Sequence, residues 1–166
     1  MSSEDRLTFR LPAQVGITAG VGAGGDEISA NSFNLGWEAE TRLLEERLKL
    51  TAGLRMGVLN QTLHSARGAI GRRSNSEGTL GSSVSGMWRW SSVHLGVVGE
   101  SSFGLQGGGG LRSLFFGPAI DISKPADPHG TAARIAFGAE LLWASSSVGF
   151  SEGPSYAPSF KIEHRF

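Results

Sequence analysis

The sequence predicts an all-β protein, an eight-stranded, antiparallel, up-and-down transmembrane β-barrel. Three observations lead there. Eight segments alternate apolar and polar residues with the period of two that belongs to extended chain. Most of them run about nine to eleven residues, the length a tilted strand needs to cross the hydrocarbon core of a bilayer. Finally, the charged residues inside the segments, Arg10, Glu38, Glu40, Arg42, Lys49, Arg55, Arg89, Glu100, Asp121, Arg134, Glu140, Lys161, Glu163 and Arg165, all fall opposite the apolar phase. With one free choice of phase per strand, chance does this about once in sixty tries, because each remaining charge has an even chance of either face.

The first segment sets Leu7, Phe9, Leu11, Ala13, Val15, Ile17, Ala19 and Val21 against Thr8, Arg10, Gln14, Gly16, Thr18 and Gly20. The second sets Phe33, Leu35, Trp37, Ala39, Thr41 and Leu43 against Asn34, Gly36, Glu38, Glu40 and Arg42. After a tight turn at 44–47 the third sets Leu48, Leu50, Ala52, Leu54, Met56 and Val58 against Lys49, Thr51, Gly53, Arg55 and Gly57, so the two read as a hairpin. A helix is the local competitor, since 38–50 is rich in helix formers and spaces Leu43, Leu44 and Leu48 near a helical period. The strict alternation on both flanks favours the hairpin and keeps the strand count even.

The fourth segment, 80–90, turns at Ser91 and Ser92 into the fifth, 93–105. The sixth sets Leu114, Phe116, Pro118, Ile120 and Ile122 against Phe115, Gly117, Ala119 and Asp121; Pro118 weakens it, because proline cannot donate to a ladder. The seventh is 133–143. The eighth sets Tyr156, Phe160, Ile162, His164 and Phe166 against Ser159, Lys161, Glu163 and Arg165.

This last strand, alternating and closing on Phe166, resembles that of outer-membrane β-barrel proteins, whose final strand typically ends in phenylalanine. In size the chain is similar to the OmpA transmembrane domain and the OmpX-like proteins. The resemblance covers 7–166 as a pattern and singles out no subfamily. It implies that Phe160, Ile162 and Phe166 form a signal read by the barrel-assembly machinery, that both termini lie in the periplasm, and that the longer connections face outward. Those connections are 22–32, 60–79, 106–113 and 145–155, against the shorter 44–47, 91–92 and 123–130. A single barrel domain over 1–166, with 1–6 as a short tail, is the expected organisation. The start, Met-Ser-Ser-Glu-Asp-Arg, lacks the apolar core of a secretory signal, so localisation in the outer membrane of a Gram-negative-type bacterium expects a signal absent from this chain.

Composition agrees with these bounds. The 166 residues suit one domain, Gly 25 is about twice the usual share, and no run of about 18 apolar residues offers a membrane helix. Lys+Arg 15 against Asp+Glu 15 leaves none of the positive field on which general nucleic-acid binding relies. With Cys 0, disulfides, thiolate zinc sites and a cysteine nucleophile are excluded. A soluble ligand-binding barrel remains the alternative for any alternating pattern, with the apolar set turned inward. Against it stand Trp88, Trp90, Phe103, Trp143, Tyr156 and Phe166, which gather toward strand ends on the apolar phase as interface aromatics do, and the glycines of the charged phase, which suit a narrow lumen.

Function is less legible. The connection 60–79 holds His64, Arg67, Arg72 and Arg73, and arginines clustered beside a membrane grip phosphate, here that of lipopolysaccharide; a solvated loop without ligand is the bland alternative. The inward charges read as a register-fixing network of ion pairs rather than a pore, because eight strands enclose only their own side chains. Gly20 to Gly25 matches the dinucleotide fingerprint but precedes no helix, and 107–110 lacks the residues of a phosphate loop, so both read as loop glycines. Some eight-stranded barrels modify lipid A, yet His64 adjoins Ser65 with no evident acid to orient it, and His94 and Glu100 stand about 20 Å apart along one strand. His129 and His164 belong to a turn and to the apolar phase. No catalytic, cofactor or metal residues are therefore assigned. The expectation is a non-enzymatic integral outer-membrane barrel whose outer loops bind lipopolysaccharide, a surface or another envelope protein. A membrane-anchored subunit of a larger envelope complex and a lipid A-modifying acyl enzyme are the alternatives.

Overall fold

In the computed structural model the described residues are 7–21, 27–64, 72–106, 109–122, 132–143 and 154–165. Nine strands are drawn from them: β1 (Thr8–Arg10), β2 (Pro12–Val21), β3 (Glu27–Leu43), β4 (Leu48–His64), β5 (Arg73–Trp90), β6 (Val93–Gly104), β7 (Leu111–Ile122), β8 (Ala132–Leu142) and β9 (Ser155–Arg165). β1 and β2 both pair with β3, on either side of Leu11, and are two pieces of one strand. Every neighbouring pair is antiparallel, β2 pairs with β9, and β3 pairs with β4, so the sheet closes into an eight-stranded up-and-down barrel without a free seam. That is the fold class read from the sequence.

The hairpin, not the helix, forms over 38–50. Arg42 faces Lys49 and Leu43 faces Leu48, and Arg47 N–H donates to the Leu44 carbonyl at 3.1 Å. Leu44, Glu45 and Glu46 turn the chain with φ of 51°, 56° and 66°, the left-handed region that side chains disfavour. Closure of the flanking ladder outweighs both that strain and the helix propensity of these residues. Pro118 sits inside β7 and still faces Val97 of β6; the β7–β8 register omits Gly117 and Pro118, which places the missing donor on that side.

Two differences from the sequence reading matter. The first is strand length. β3, β4 and β5 have 17, 17 and 18 residues whereas β6 to β9 have 11 or 12, so much of what reads as connection at 22–32 and 60–79 is ladder. The extension pairs Ile28 with Leu63, Ala30 with Gln61 and Asn60 with Ser76. Its outward residues, Ser29, Asn31, Asn60, Thr62, Ser74 and Ser76, are polar, which is why the sequence there looks like loop. The second is a β-bulge in β7. Ser102 faces Ser113 but Phe103 faces Leu111, and the extra residue, Arg112, turns inward together with Ser113. The connections 123–130 and most of 145–155 lie outside the described residues.

Apolar side chains cover the outer wall. Phe9, Ile17, Trp37, Leu54, Met56, Phe116 and Phe137 are each at least 60% exposed, far more apolar surface than a water-facing monomer carries. The belt gives way to polar residues above Phe33, Val58 and Leu80, where Asn60 donates to Asn31 at 2.8 Å across the outer face. At the level of the belt the charged residues lie on the other side of the wall, in the lumen.

Candidate functional site

The inward phase is built from long ions and small residues. At the end bearing the short turns, Arg10 and Arg42 reach Glu40 at 3.2 and 2.9 Å. Asp121, fully buried, receives Arg134 Nε at 2.6 Å and Nη2 at 3.0 Å and also holds Lys49; a second Arg134 Nη2 hydrogen bond reaches Ser85 at 3.0 Å. At mid-height Arg55 lies 2.5 Å from Glu163, 3.5 Å from Glu100 and 4.0 Å from Glu38. Lys161 spans Glu100 at 2.7 Å and Glu140 at 3.3 Å and stands over the Phe115 ring; Gln14 and Thr18 donate to Glu100 and Glu140 at 2.7 and 2.5 Å.

Arg89 and Arg165 depart from the sequence-derived set. Arg89 is exposed at the turn-end rim, where its Nε donates to the Ser91 carbonyl at 3.3 Å, so it takes no part in the lumen network. Of Arg165 only the backbone position in β9 is described, and Phe166 lies outside the described residues. Phe160 and Ile162 point to the outer wall, facing Ile17 and Val15 of β2.

Sequence reading missed a buried pair, Arg112 with Glu77, at 2.5 Å. Glu77 continues the inward phase of β5 past Thr79, a signal that was present. Arg112 has the wrong parity for β7 and becomes inward only through the bulge, which no alternation pattern announces. With this pair included and Arg89 left out, the described lumen holds Glu38, Glu40, Glu77, Glu100, Asp121, Glu140 and Glu163 against Arg10, Arg42, Lys49, Arg55, Arg112, Arg134 and Lys161. The two sets are equal in number, so the buried charge sums to zero.

Two apolar clusters complete the filling. Met87, Val98, Phe115, Ala119 and Ala136 occupy the turn-end half, and Ile28, Ala30, Leu59, Leu63 and Leu142 the loop end. Between them a cavity of about 30 Å³ borders Thr18, Arg55, Glu100, Glu140 and Lys161. That is room for about two waters.

At the loop-end rim His64 and Arg72 border one depression while Arg73 turns to the other face. His64 faces outward from the end of β4, Arg72 lies just before β5, and Arg73 falls on the inward phase of β5 opposite Leu63, exposed above the rim. Arg67 lies outside the described residues. His64 and Arg72 line an open depression of about 500 Å³ together with Ala19, Glu27, Ser29 and Thr62. Glu27 had not been singled out. Its proximity follows from the register, in which it faces His64 directly.

The described histidines, His64, His94 and His164, stand in separate environments. His94 is buried in the lumen facing Asp121 of β7, and neither ring nitrogen has a hydrogen-bond partner among the described residues. His164 faces outward from β9 opposite Ala13 and Ala133. Among the described residues no three His, Asp or Glu side chains form a metal-ligand set.

No protein-family model and no curated protein matches the chain in sequence. Among solved structures, the crystal structure of Neisserial surface protein A (NspA) aligns over 97% of this chain and 98% of that one, at 12% identity and a TM-score of 0.44. The β domain of the Bordetella autotransporter BrkA aligns over 95% and 98%, at 10% identity and a TM-score of 0.38.

Proposed function

We propose that the protein is a non-enzymatic integral outer-membrane barrel that holds the β3–β5 extension and the adjoining connections outside the bilayer, to engage lipopolysaccharide, a surface or another envelope protein. The observation that carries this reading is the contrast between lumen and wall. Among the described residues the interior is filled by paired ions and two apolar clusters, which supports a structural lumen, while the apolar belt anchors and the polar extension projects. In this reading the barrel-assembly machinery reads the β9 terminus, including Phe160, Ile162 and Phe166.

Expression behind a secretion signal in a Gram-negative host tests it. The chain is expected in the outer-membrane fraction, migrating faster unheated than boiled, and trypsin added to intact cells should cut at Arg67 or Arg72. Deleting Phe166 should lower assembly in cells much more than refolding in detergent. Recovery as a detergent-free soluble monomer would overturn the proposal.

One observation favours the second reading, a membrane-anchored subunit. β5 pairs with β6 only from Thr79 onward, so among the described residues the edge from Arg73 to Glu77 has no neighbouring strand on that side. An unpaired edge is a template for strand addition. Co-purification of a stoichiometric envelope partner, lost when Asn75 is replaced by proline, would support it.

A further inference from the structure

We infer that the loop-end rim of β2, β3 and β4 binds a membrane-lipid headgroup that carries phosphate and ammonium together. This rests on the reading of the chain as a membrane-inserted barrel, and it names the chemistry that the rim would take.

Position comes first. Ala19, Glu27, Ser29, Thr62 and His64 belong to the outward phase and, with Arg72, form most of the lining of the depression, to which Gly20 and the buried Ile28 also contribute, so it lies on the wall side of the rim. Directly below, Ile17, Phe33 and Val58 belong to the apolar belt, and the Asn31–Asn60 hydrogen bond marks its upper edge. Thr62 and His64 are two and four residues beyond Asn60, about 5 to 10 Å higher at the usual strand rise and tilt. That is the level of the headgroup layer.

The charges then define the occupant. Arg72 offers a planar fork of donors that matches phosphate oxygens, and Ser29 and Thr62 line the same depression, the Thr62 hydroxyl sharing a 3.2 Å hydrogen bond with Ser74. An anion site alone, however, would not include a carboxylate. Glu27 lies directly across the ladder from His64, at the separation where like and unlike charges are felt strongly, and it would repel a simple phosphate. Among the described residues no hydrogen bond or ion pair occupies the Glu27 carboxylate or the Arg72 guanidinium. Two opposite charges lining one depression complement a ligand that carries both signs. A phosphate ester with an ammonium on the same headgroup satisfies Arg72 and Glu27 at once, whereas an anionic lipid satisfies only one.

The full chain, refolded into nanodiscs containing equal phosphatidylethanolamine and phosphatidylglycerol, provides the test, with retained lipids counted by native mass spectrometry after mild extraction. The wild-type barrel should keep phosphatidylethanolamine several-fold over phosphatidylglycerol. Glu27→Gln should bring the ratio to about one, and Arg72→Gln should lower retention of both lipids. Both residues are exposed at the rim, and the heat-dependent gel shift verifies that each variant is folded. Equal retention by the wild type, a preference for the anionic lipid, or a ratio unmoved by Glu27→Gln would each overturn the inference. Failure of the wild type to insert at all would instead defeat the barrel-in-membrane reading beneath it.

Discussion

Replacing Asp121 by Asn should destabilise the barrel by about 3 to 5 kcal/mol, the cost of stranding a buried charge. The structure makes Asp121 the shared acceptor of two cations. Arg134 contacts both of its oxygens, at 2.6 and 3.0 Å, and Lys49 contacts one; all three side chains are at most 2% exposed. At an effective dielectric near 20, one such contact is worth about 5 kcal/mol of Coulomb energy, so two give roughly 10 before desolvation is subtracted. An amide of the same size keeps the volume and removes that compensation. Lys49 and Arg134 then repel one another in a lumen without room for bulk water.

A second substitution separates charge from packing. Lys49→Met added to Asp121→Asn removes one stranded cation and should recover about 2 kcal/mol, while Lys49→Met alone, which leaves the Arg134–Asp121 pair intact, should cost about 1 to 2 kcal/mol. Reversible urea unfolding in detergent, followed by the fluorescence of the four tryptophans, reads all three. If Asp121→Asn costs less than about 1 kcal/mol, or if the double variant is less stable than the sum of the single effects, the lumen network is not held by charge compensation.

Three further outcomes follow from the geometry. Leu54→Arg on the belt should cost about 2 to 4 kcal/mol or block insertion, whereas Thr62→Arg, on the same face of β4 but above the belt, should change stability by less than about 0.5 kcal/mol in the same urea titration. Gly138→Ala should cost about 1 to 3 kcal/mol, because a Cβ there would lie 2.4 Å from the Phe116 carbonyl oxygen and 2.6 Å from Gly117 Cα; at Gly99 the nearest atom is 3.7 Å away, so Gly99→Ala should be near neutral. Glu45→Gly should stabilise the barrel by about 0.5 to 1 kcal/mol, since the residue holds φ 56° and glycine removes the left-handed penalty; a loss of stability would mean that the Glu45 side chain is held by contacts in the turn.

The sequence carried the barrel itself to the extent that local alternation dictates which face is buried. Parity is a local property, and β9 illustrates it: Ser159, Lys161 and Glu163 are buried while Phe160 and Ile162 are exposed, as the alternation of that segment alone predicts. What escaped depended on non-local geometry. The ends of β3, β4 and β5 have polar outward residues, so their strands were indistinguishable from loop until the register tied Ile28 to Leu63 and Asn60 to Ser76. Arg112 is inward only because a bulge shifts the parity of β7 by one. Glu27 meets His64 only through the β3–β4 ladder, and for that reason the rim acquired an acid that the run of basic residues at 64–73 did not suggest. The same ladder parted Arg73 from Arg72, since neighbouring residues at a strand end reach opposite faces.

The glycine content and the neutral lumen have a common physical origin. An eight-stranded barrel has an interior only wide enough for side chains, and paired long ions need more width than every inward position can provide. The chain meets this by setting glycines beside the ions. A Cβ at Gly104 would fall 2.6 Å from a Glu77 oxygen and 2.7 Å from Arg112 Nε, and one at Gly36 would lie 3.1 Å from Arg55 Cγ as well as 2.5 Å from the Leu54 carbonyl oxygen. Gly104 thus leaves the space in which the Glu77–Arg112 pair closes, next to the aliphatic cluster that seals the loop end. Since a buried ion pair contributes little net stability over apolar residues of similar volume, the arrangement is better understood as specification. Slipping any strand by one residue would turn its ions to the lipid and its large apolar groups into the lumen. The inward ions therefore penalise a one-residue slip of any strand far more than they stabilise the right register.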